Sequence, residues 1–159
     1  MVLFTYTPGT SPADKIFTKY IWEAEGSPDD VELGEGWESI ASIAFQHRTI
    51  TSIEIPASVT SIGYQSFFNT SSLKSVTFVG TSRLSRIEQM AFYSSGITSI
   101  EIPRSITFIG DGAFYSTNSL ASVSFASGSL LESIGQDAFR STGLTSIAIP
   151  ASVTTIGNY

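Results

Sequence analysis

The stretch that decides the fold reads Ile97-Thr-Ser-Ile-Glu-Ile-Pro-Arg-Ser-Ile-Thr-Phe-Ile-Gly-Asp-Gly-Ala-Phe114. Its opening pattern, an apolar residue followed by x-Ser-[Ile/Val]-x-[Ile/Phe], occurs five times along the chain. The copies are 23, 24, 23 and 24 residues apart and start at Ile50, Leu73, Ile97, Leu120 and Leu144. A short, regular period of this kind is typical of a solenoid, in which each repeat forms one coil.

The five copies alternate between two types, so the full period is 47 residues. Copies that start at 50, 97 and 144 continue with Ile-Pro, whereas those at 73 and 120 continue with Phe and, a few residues later, Ser-x-Leu. An earlier, degenerate copy begins at Trp37, because Trp37-Glu-Ser-Ile40 matches Leu131-Glu-Ser-Ile134 at an offset of 94 residues. This offset is two full periods, so we place the start of the repeat region at residue 37.

Each coil is predicted to contain two short strands and a turn. The Ser-Ile-x-Ile stretch alternates polar with apolar residues and is rich in β-branched side chains, as expected for a strand with one buried face. The Thr-x-Ile-Gly stretch predicts a second strand, and the x-Ala-Phe stretch predicts a helical or 3₁₀ turn on the far side. The phenylalanines of successive turns should stack into a structural spine, which comprises Phe45, Phe67, Phe92, Phe114 and Phe139.

The combined pattern L-x-S-[IV]-x-[IF]-P-x-S-V-T-x-I-G-x-x-A-F resembles the BspA-type leucine-rich repeat over residues 37–159. Members of that family commonly carry a cysteine shortly after the phenylalanine, whereas this chain has Thr70, Ser95, Thr117 and Thr142 at those positions. The resemblance implies a mostly β fold, a right-handed β-solenoid of about five coils of 23–24 residues, used for adhesion or protein binding. It implies no catalysis.

Residues 1–36 do not repeat and are predicted to form a non-repeat N-terminal arm and cap, ahead of a solenoid domain at 37–159. Ser11-Pro-Ala-Asp14 has the composition of a helix start, with a capping serine, a proline at the first helical position and an acid in the first turn. Apolar residues at helical spacing follow as far as Gly26, so we predict an amphipathic helix over about 12–25.

The two ends of the solenoid differ in sequence. An open end exposes core and strand edges, so we expect the N-terminal helix and Trp22 or Trp37 to cover the first coil. At the other end the sequence stops at Gly157-Asn-Tyr159, where the repeat calls for Ala-Phe; the chain is either truncated there or covered by another subunit, and we expect the second. The segments Leu3-Phe-Thr-Tyr-Thr-Pro-Gly9 and Asp14-Lys-Ile-Phe17 weakly resemble the start of some tailed-phage structural proteins.

Composition excludes several kinds of site. The 159-residue chain has no cysteine and one histidine, His47, so it offers no disulfide framework, no thiolate nucleophile and a single imidazole. The net charge of −6 comes from residues 1–38, which hold eight acids and two bases, whereas residues 39–159 hold six of each. A neutral repeat region does not favour nucleic acid, which needs clustered Lys and Arg. No signal peptide or transmembrane run is visible, so membrane insertion is not expected.

The outward positions of the first strand of each coil form the candidate binding face. The chain contains 27 serines and 17 threonines, so this face should be flat, weakly charged and rich in hydroxyl groups. Its members are Ser52, Glu54, Ser75, Thr77, Ser99, Glu101, Ser122, Ser124 and Ser146. Glu54 and Glu101 would lie roughly 10 Å apart, at or beyond the limit for an inverting carboxylate pair, so we interpret them as solvated carboxylates.

The other polar residues that we considered are assigned structural roles. His47 is interpreted as a loop residue, since no Gly-x-Ser-x-Gly motif accompanies it. The acids at 23–38 lack the ligand spacing of a calcium loop. Arg83, Arg86 and Arg104 would form a modest basic patch on adjacent coils, suited to an acidic protein surface. No catalytic, cofactor-binding or metal-binding residue is therefore assigned.

These observations predict a non-catalytic structural or protein-binding module rather than an enzyme. The main hypothesis is a virion surface or decoration (cement) protein of a tailed bacteriophage. The alternative is a cell-surface adhesin or host-binding fragment of a BspA-like bacterial protein. The expected partners are proteins, namely other virion or surface subunits and a second copy of this chain through its uncapped C-terminal coil.

Overall fold

The computed structural model describes residues 4–6, 16–17 and 29–158, whose short strands lie in two parallel ladders. Strands are numbered β1 to β13 along the chain. The first ladder contains β1 Phe4–Tyr6, β3 Asp30–Leu33, β5 Ser52–Ile55, β7 Ser75–Phe78, β9 Ser99–Ile102 and β11 Ser122–Phe125. The second contains β2 Ile16–Phe17, β4 Ser39–Ile40, β6 Ser61–Ile62, β8 Arg86–Ile87, β10 Phe108–Ile109, β12 Ser133–Ile134 and β13 Thr155–Ile156.

The predicted mostly β solenoid is confirmed, with about six coils. The Ser-Ile-x-Ile pattern forms a strand in four of its five copies. A second strand forms in each coil, including the three with the Thr-x-Ile-Gly pattern at 60–63, 107–110 and 154–157. The fifth copy, at 146–149, has no assigned strand, so the strand prediction is wrong there. β9, which has the same pattern, is held as a strand by pairing with β11, whereas the segment at 146–149 has no following coil among the described residues and does not pair with β11.

The two ladders differ in continuity. The second ladder is a single seven-stranded sheet in the order β13-β12-β10-β8-β6-β4-β2. The first ladder is divided into a four-stranded sheet, β1-β3-β5-β7, and a two-stranded sheet, β11-β9. Every pair is parallel and in register, because each coil places equivalent residues over those of its neighbour.

Phenylalanine rings form a stack through the centre of the solenoid. Consecutive ring centroids are 4.9–5.3 Å apart and the ring planes are within 8° of parallel. The stack consists of Phe45, Phe67, Phe92, Phe114 and Phe139. The first four rings are fully buried, and Phe139, at the end of the row, is half-buried. A single coil could not bury such a ring, so the stack makes the stability of each coil depend on its neighbours.

The segments that carry these phenylalanines form the third side of each coil, which we call the turn wall (41–48, 63–70, 88–95, 110–117 and 135–142). Successive backbone bonds from residue i+3 to residue i close turns there, as from Ala91 N to Glu88 O at 3.2 Å and from Tyr93 N to Met90 O at 3.2 Å. Met90 and Ser94 have φ of 55° and 49°, in the left-handed region. The predicted helical or 3₁₀ turn is therefore wrong, because left-handed residues on both sides of the phenylalanine break a helix.

Left-handed residues let the turn wall hydrogen-bond between coils instead of within a helix. Phe45 N donates to Ser66 O at 2.7 Å, and the equivalent bond joins Phe92 N to Ala113 O at 2.8 Å. Each of the four junctions between the coils at Phe45 and Phe139 has three such bonds. The turn wall is therefore as continuous as the second ladder.

Threonine hydroxyls occupy positions where the family commonly has cysteine. Thr70 and Thr117 are fully buried, and Thr142 is half-buried. Thr70 Oγ1 donates to Phe67 O at 2.7 Å, and Thr117 Oγ1 donates to Phe92 O at 2.9 Å. These two hydroxyls are satisfied by carbonyls of the spine, which explains how threonine is tolerated when it is buried there.

The N-terminal arm contributes rungs to both ladders. β1 pairs with β3 and β2 pairs with β4, both in parallel register. Ile16 and Phe17 are thus in a strand, so the predicted helix over about 12–25 is wrong at these two residues, where pairing with a sheet edge overrides the local pattern. The rest of that helix, Trp22 and most of the phage-like segments lie outside the described residues. Trp37, the other predicted cap residue, is buried in the core.

Candidate binding face

The outward residues of the first ladder lie in two files, which we call the strand face. Ser52 is in register with Ser75, and Ser99 with Ser122, so serines follow one another in the first file. In the second file Glu54 is beside Thr77, and Glu101 is beside Ser124. Ser52 and Glu54 are half-buried, and the other predicted members of the face are exposed, including Ser146 in the segment without a strand.

Two acidic residues extend the strand face beyond the residues predicted from the sequence. Asp30 and Glu32 of β3 are in register with Ser52 and Glu54. Sequence analysis missed them because Asp-Val-Glu-Leu lacks the repeat serine. Two signals could have identified this strand: its alternation of polar and apolar residues, and the position of Asp30, 22 residues before Ser52. The face is therefore acidic at its N-terminal end and rich in hydroxyls farther along.

Asp30 is held by two hydroxyl donors. Ser52 Oγ donates to Asp30 Oδ1 at 2.6 Å, and Thr51 Oγ1 donates to the same oxygen at 2.7 Å. The hydrogen bond from Ser52, and then that from Thr51, lower the pKa of the Asp30 carboxyl, because both stabilise its charged form. Two hydroxyls at this end of the face are thus committed to a structural contact.

Glu54 and Glu101, the two carboxylates considered from the sequence, do not form a catalytic pair. Glu54 lies on β5 and Glu101 on β9, with β7 between them. Two coils correspond to about 9.6 Å, beyond the separation at which two carboxylates act on one glycosidic bond. His47 lies on the turn wall, with its ring edge-on to Phe68 at 5.7 Å between centroids. The chain does not bring these residues together.

The strand face is interrupted where one coil type is followed by the other. β7 and β9 are neighbours, but β7 ends one sheet and β9 begins the next. A groove of about 470 Å³ lies at this break, which we call the first groove, and Thr77 and Glu101 are on its walls. A second groove of about 550 Å³ lies between β11 and the segment 148–152.

Aromatic residues form a second row on the turn wall, outside the buried spine. The rings of Phe68, Tyr93 and Tyr115 stack at 4.7 and 5.1 Å between centroids, and all three are half-buried. His47 lies against one end of the row, and the guanidinium of Arg140 is 5.8 Å from the Tyr115 ring at the other. The faces of these rings are occupied by one another, so this row stabilises coil stacking.

Two of the three arginines considered from the sequence, Arg86 and Arg104, have separate side-chain contacts. Arg86 Nε is 2.7 Å from Glu88 Oε1, and its guanidinium lies over the Phe108 ring at 4.1 Å from the centroid. Arg104 Nε donates to Gly128 O at 2.9 Å beside the first groove. Two of the three thus lie on different walls of the solenoid, and each already has a partner.

Two further kinds of site were sought in the part of the chain that the structure describes. There, His, Cys, Asp and Glu residues do not gather in groups of three or more that could hold a metal ion. Within those residues, no helical segment reaches the length and apolar character that a membrane crossing needs.

A family model described as the BspA type leucine rich repeat region matches residues 38–159 in six copies. The chain belongs to this family. The resemblance inferred from the repeat pattern is therefore confirmed, and the extra copy accounts for the sixth coil. A comparison with curated protein sequences finds no match.

Solved structures of bacterial leucine-rich repeat proteins are similar to this chain. The pneumococcal vaccine antigen PcpA is 31% identical with a TM-score of 0.67, over 80% of this chain and 32% of that one. A leucine rich cell surface protein from Faecalibacterium prausnitzii is 30% identical with a TM-score of 0.51, over 77% of this chain and 39% of that one. This chain thus spans about a third of the length of PcpA. A Bacteroides ovatus leucine-rich repeat protein, 21% identical with a TM-score of 0.64, shares the fold.

At the level of the family, a surface protein-binding module fits this chain. The comparisons therefore favour the alternative, a bacterial cell-surface protein, over the main hypothesis. They give no support to the predicted virion role or to a bacteriophage source. Leucine-rich repeat proteins are typically non-catalytic binding modules, and nothing in the family or in the described residues points to enzymatic activity.

Proposed function

We propose that this chain is a non-catalytic binding module of a bacterial cell-surface adhesin and that its strand face contacts a protein partner. The observation that carries this proposal is the face itself. Small polar side chains repeat in register within each of its two sheets, Ser52 beside Ser75 and Ser99 beside Ser122, with an exposed carboxylate at Glu101. A flat surface with few long, mobile side chains loses little conformational entropy when a partner covers it.

The similarity to a cell surface protein supports the location that we propose. The Faecalibacterium prausnitzii protein is described as a cell surface protein, and it matches 77% of this chain at 30% identity. The turn wall is less suited to recognition, because its main-chain groups and its aromatic row are already used between coils. The strand face is the side whose side chains are exposed in a regular array.

The proposal is tested by binding of the purified chain to a panel of immobilised extracellular-matrix and epithelial surface proteins, measured by biolayer interferometry. For any protein that binds, Ser99→Arg on the strand face should weaken affinity by about tenfold or more, because a long charged side chain enters the interface. Ser119→Arg is the matched control, since Ser119 is also exposed but lies in the turn that follows the turn wall.

Both variants should melt at the temperature of the parent chain, so that a loss of binding reports the interface and not the fold. Equal weakening by both arginine variants would contradict binding through the strand face. A chain that binds no protein of the panel, but binds surface polysaccharide, would contradict the protein partner.

A further inference from the structure

We infer that the solenoid is hinged between β7 and β9, so that its strand face opens and closes as two blocks. The first block contains the coils up to β7, and the second contains those from β9 onward. Closing the hinge pairs β7 with β9, and opening it widens the first groove. This movement is separate from the proposed function, since it does not require a partner.

The sequence of β9 permits pairing on both of its sides. Residues 50–56 and 97–103 are identical and read Ile-Thr-Ser-Ile-Glu-Ile-Pro. In the first copy, β5 pairs with β3 on one side and with β7 on the other, whereas in the second copy β9 pairs, among the described strands, with β11 alone. The open junction therefore reflects how the coils lie against each other and not a residue that forbids pairing.

The connection after β7 holds its coil to the first block. This connection, residues 79–83, is two residues longer than the one that follows β5. It bonds to the coil before it, because Val79 N donates to Ile55 O at 3.0 Å and Arg83 N donates to Ala57 O at 3.2 Å. The last coil of the first block is thus tied away from the junction.

The connection after β9 holds its coil to the second block. Leu130 N donates to Arg104 O at 3.0 Å, and Arg104 Nε donates to Gly128 O at 2.9 Å. Between 74–79 and 98–104, both within the described part of the chain, no main-chain hydrogen bond crosses the junction. The two coils that meet there are therefore each bonded to the neighbour on the opposite side.

The turn wall and the second ladder cross the junction without a break and form the axis of the hinge. Phe92 N donates to Ala113 O at 2.8 Å, and the rings of Phe92 and Phe114 stack at 5.3 Å between centroids. In the second ladder, Arg86 of β8 is in register with Phe108 of β10. Movement at the junction therefore opens the strand face without separating the coils.

The core is most exposed to solvent at the junction. Among the buried apolar residues that the structure describes, Val76 of β7 and Ile100 of β9 have the largest exposed fractions, 8% and 4%, against 1% for Ile53 of β5. Closing would bury both side chains and add main-chain hydrogen bonds, whereas the connections hold the two coils to opposite blocks. These effects oppose each other, so we expect both arrangements to be populated.

The main-chain amide of Ser99 reports the state of the junction. Successive residues of a β-strand direct their main-chain groups to opposite neighbours. Ala126 N donates to Ile102 O at 3.0 Å, so the main-chain groups of Ile102 face β11 and those of Ser99 face β7. The same alternation directs the amide of Ser52, in the identical sequence, to β3, which pairs with β5. Ser52 is therefore the matched internal control for Ser99.

Hydrogen exchange of the backbone amides, followed by NMR, measures the opening. The amide of Ser99 should exchange about 100-fold or more faster than that of Ser52. Their intrinsic exchange rates are equal because their neighbours along the chain are identical. Equal exchange of the two amides would refute the hinge, since the junction would then be paired as firmly as β3 and β5.

An engineered disulfide tests whether the junction closes. Thr77 and Glu101 are both on the walls of the first groove, and the chain has no cysteine of its own. Thr77→Cys combined with Glu101→Cys should form a disulfide on oxidation, because closing brings the two Cα atoms within the range of about 4.4–6.8 Å that the bond requires. Glu54→Cys combined with Thr77→Cys is the matched control, since Glu54 and Thr77 are already paired in register.

The disulfide and the exchange rate together decide between a hinge and a fixed gap. Oxidation of the Thr77→Cys, Glu101→Cys variant should slow exchange at Ser99 by about tenfold or more, and reduction should restore the parent rate. Failure to form this disulfide under conditions that oxidise the control would show that the junction does not close. A disulfide that forms without slowing exchange at Ser99 would equally overturn the inference, because β7 and β9 would then not pair.

Discussion

The turn wall and the strand face are built from the same coils, but only the turn wall is continuous. On the turn wall, main-chain bonds such as Phe67 N to Ala91 O at 2.8 Å recur between coils, and the phenylalanine spine stacks directly behind them. On the strand face the ladder opens between β7 and β9. The turn wall therefore holds neighbouring coils together. The ladder of the strand face can be interrupted without separating the coils, and its side chains remain exposed for recognition.

The largest effect is expected from breaking the spine. Phe114 is fully buried between Phe92 and Phe139, at 5.3 and 5.2 Å between ring centroids. Phe114→Ala should destabilise the chain by roughly 3–5 kcal/mol, because a buried aromatic ring is replaced by a cavity. Urea denaturation followed by circular dichroism measures this loss. The strand-face variant Ser122→Ala is the comparison, and an equal loss in both would refute the contrast between the two sides.

The next effect concerns the close approach of coils beside the second ladder. A Cβ at Gly110 would lie 2.5 Å from Gln89 N and 2.7 Å from Glu88 C, so Gly110→Ala should force neighbouring coils apart at a cost of roughly 1–3 kcal/mol. At Gly80, beside the first groove, the nearest atom to a new Cβ is Ala57 Cβ at 3.4 Å. Gly80→Ala should therefore cost only the left-handed strain at φ of 68°, about 1 kcal/mol.

The two glycine variants are compared by their denaturation midpoints under the same conditions. A larger loss of stability for Gly80→Ala than for Gly110→Ala would contradict the prediction that close contact between coil backbones makes Gly110 the more sensitive position.

A smaller effect, of opposite sign, is expected from relieving strain on the turn wall. Ile43 has φ of 58°, which is unfavourable for a β-branched side chain, and Gly112 occupies the equivalent place in another coil. Relief of this backbone strain in Ile43→Gly should stabilise the chain by about 1 kcal/mol. Loss of the packing made by the Ile43 side chain should reduce this gain. Asn69→Gly, at φ of 55°, should change stability less because asparagine tolerates this region. The stability of both variants is measured by thermal unfolding. Destabilisation by Ile43→Gly would contradict the prediction that the backbone at Ile43 is strained.

The smallest effect is a pH dependence at the acidic end of the strand face. The pKa of Asp30 is lowered in the folded chain by the bonds from Ser52 and Thr51, so the contribution of this carboxylate is present above the ordinary aspartate pKa. It is lost as the pH falls through the lowered value. Ser52→Ala should therefore reduce the melting temperature slightly at pH 7 and less at pH 2, whereas Ser75→Ala should show no such pH dependence.

Most of the fold could be predicted from the repeat, because stacking identical coils aligns residues such as Ile53 and Ile100 in one core. The turn at Ala91-Phe92 was predicted as helical, since the local pattern does not reveal that Met90 and Ser94 are left-handed. β2 was predicted as part of a helix for the same reason: a short amphipathic pattern says nothing about a sheet edge that needs a partner.

The candidate site could be predicted only in part. The strand-face files follow from alternation, so Thr77 and Glu101 were placed on that face from the sequence alone. Asp30 and the grooves were missed, because they depend on which coil lies against which. The 47-residue alternation with which the grooves recur was visible, but the opening of the ladder between β7 and β9 was not.

The sequence by itself determined the period, the two coil types and the residues that face the core, because each of these follows from the spacing of apolar side chains along one chain. The tertiary structure alone decided where the ladder closes and where it opens. β5 and β9 have the same Ser-Ile-Glu-Ile sequence followed by proline, yet β5 pairs with the coil before it and β9 does not, because pairing depends on how two successive coils lie against each other.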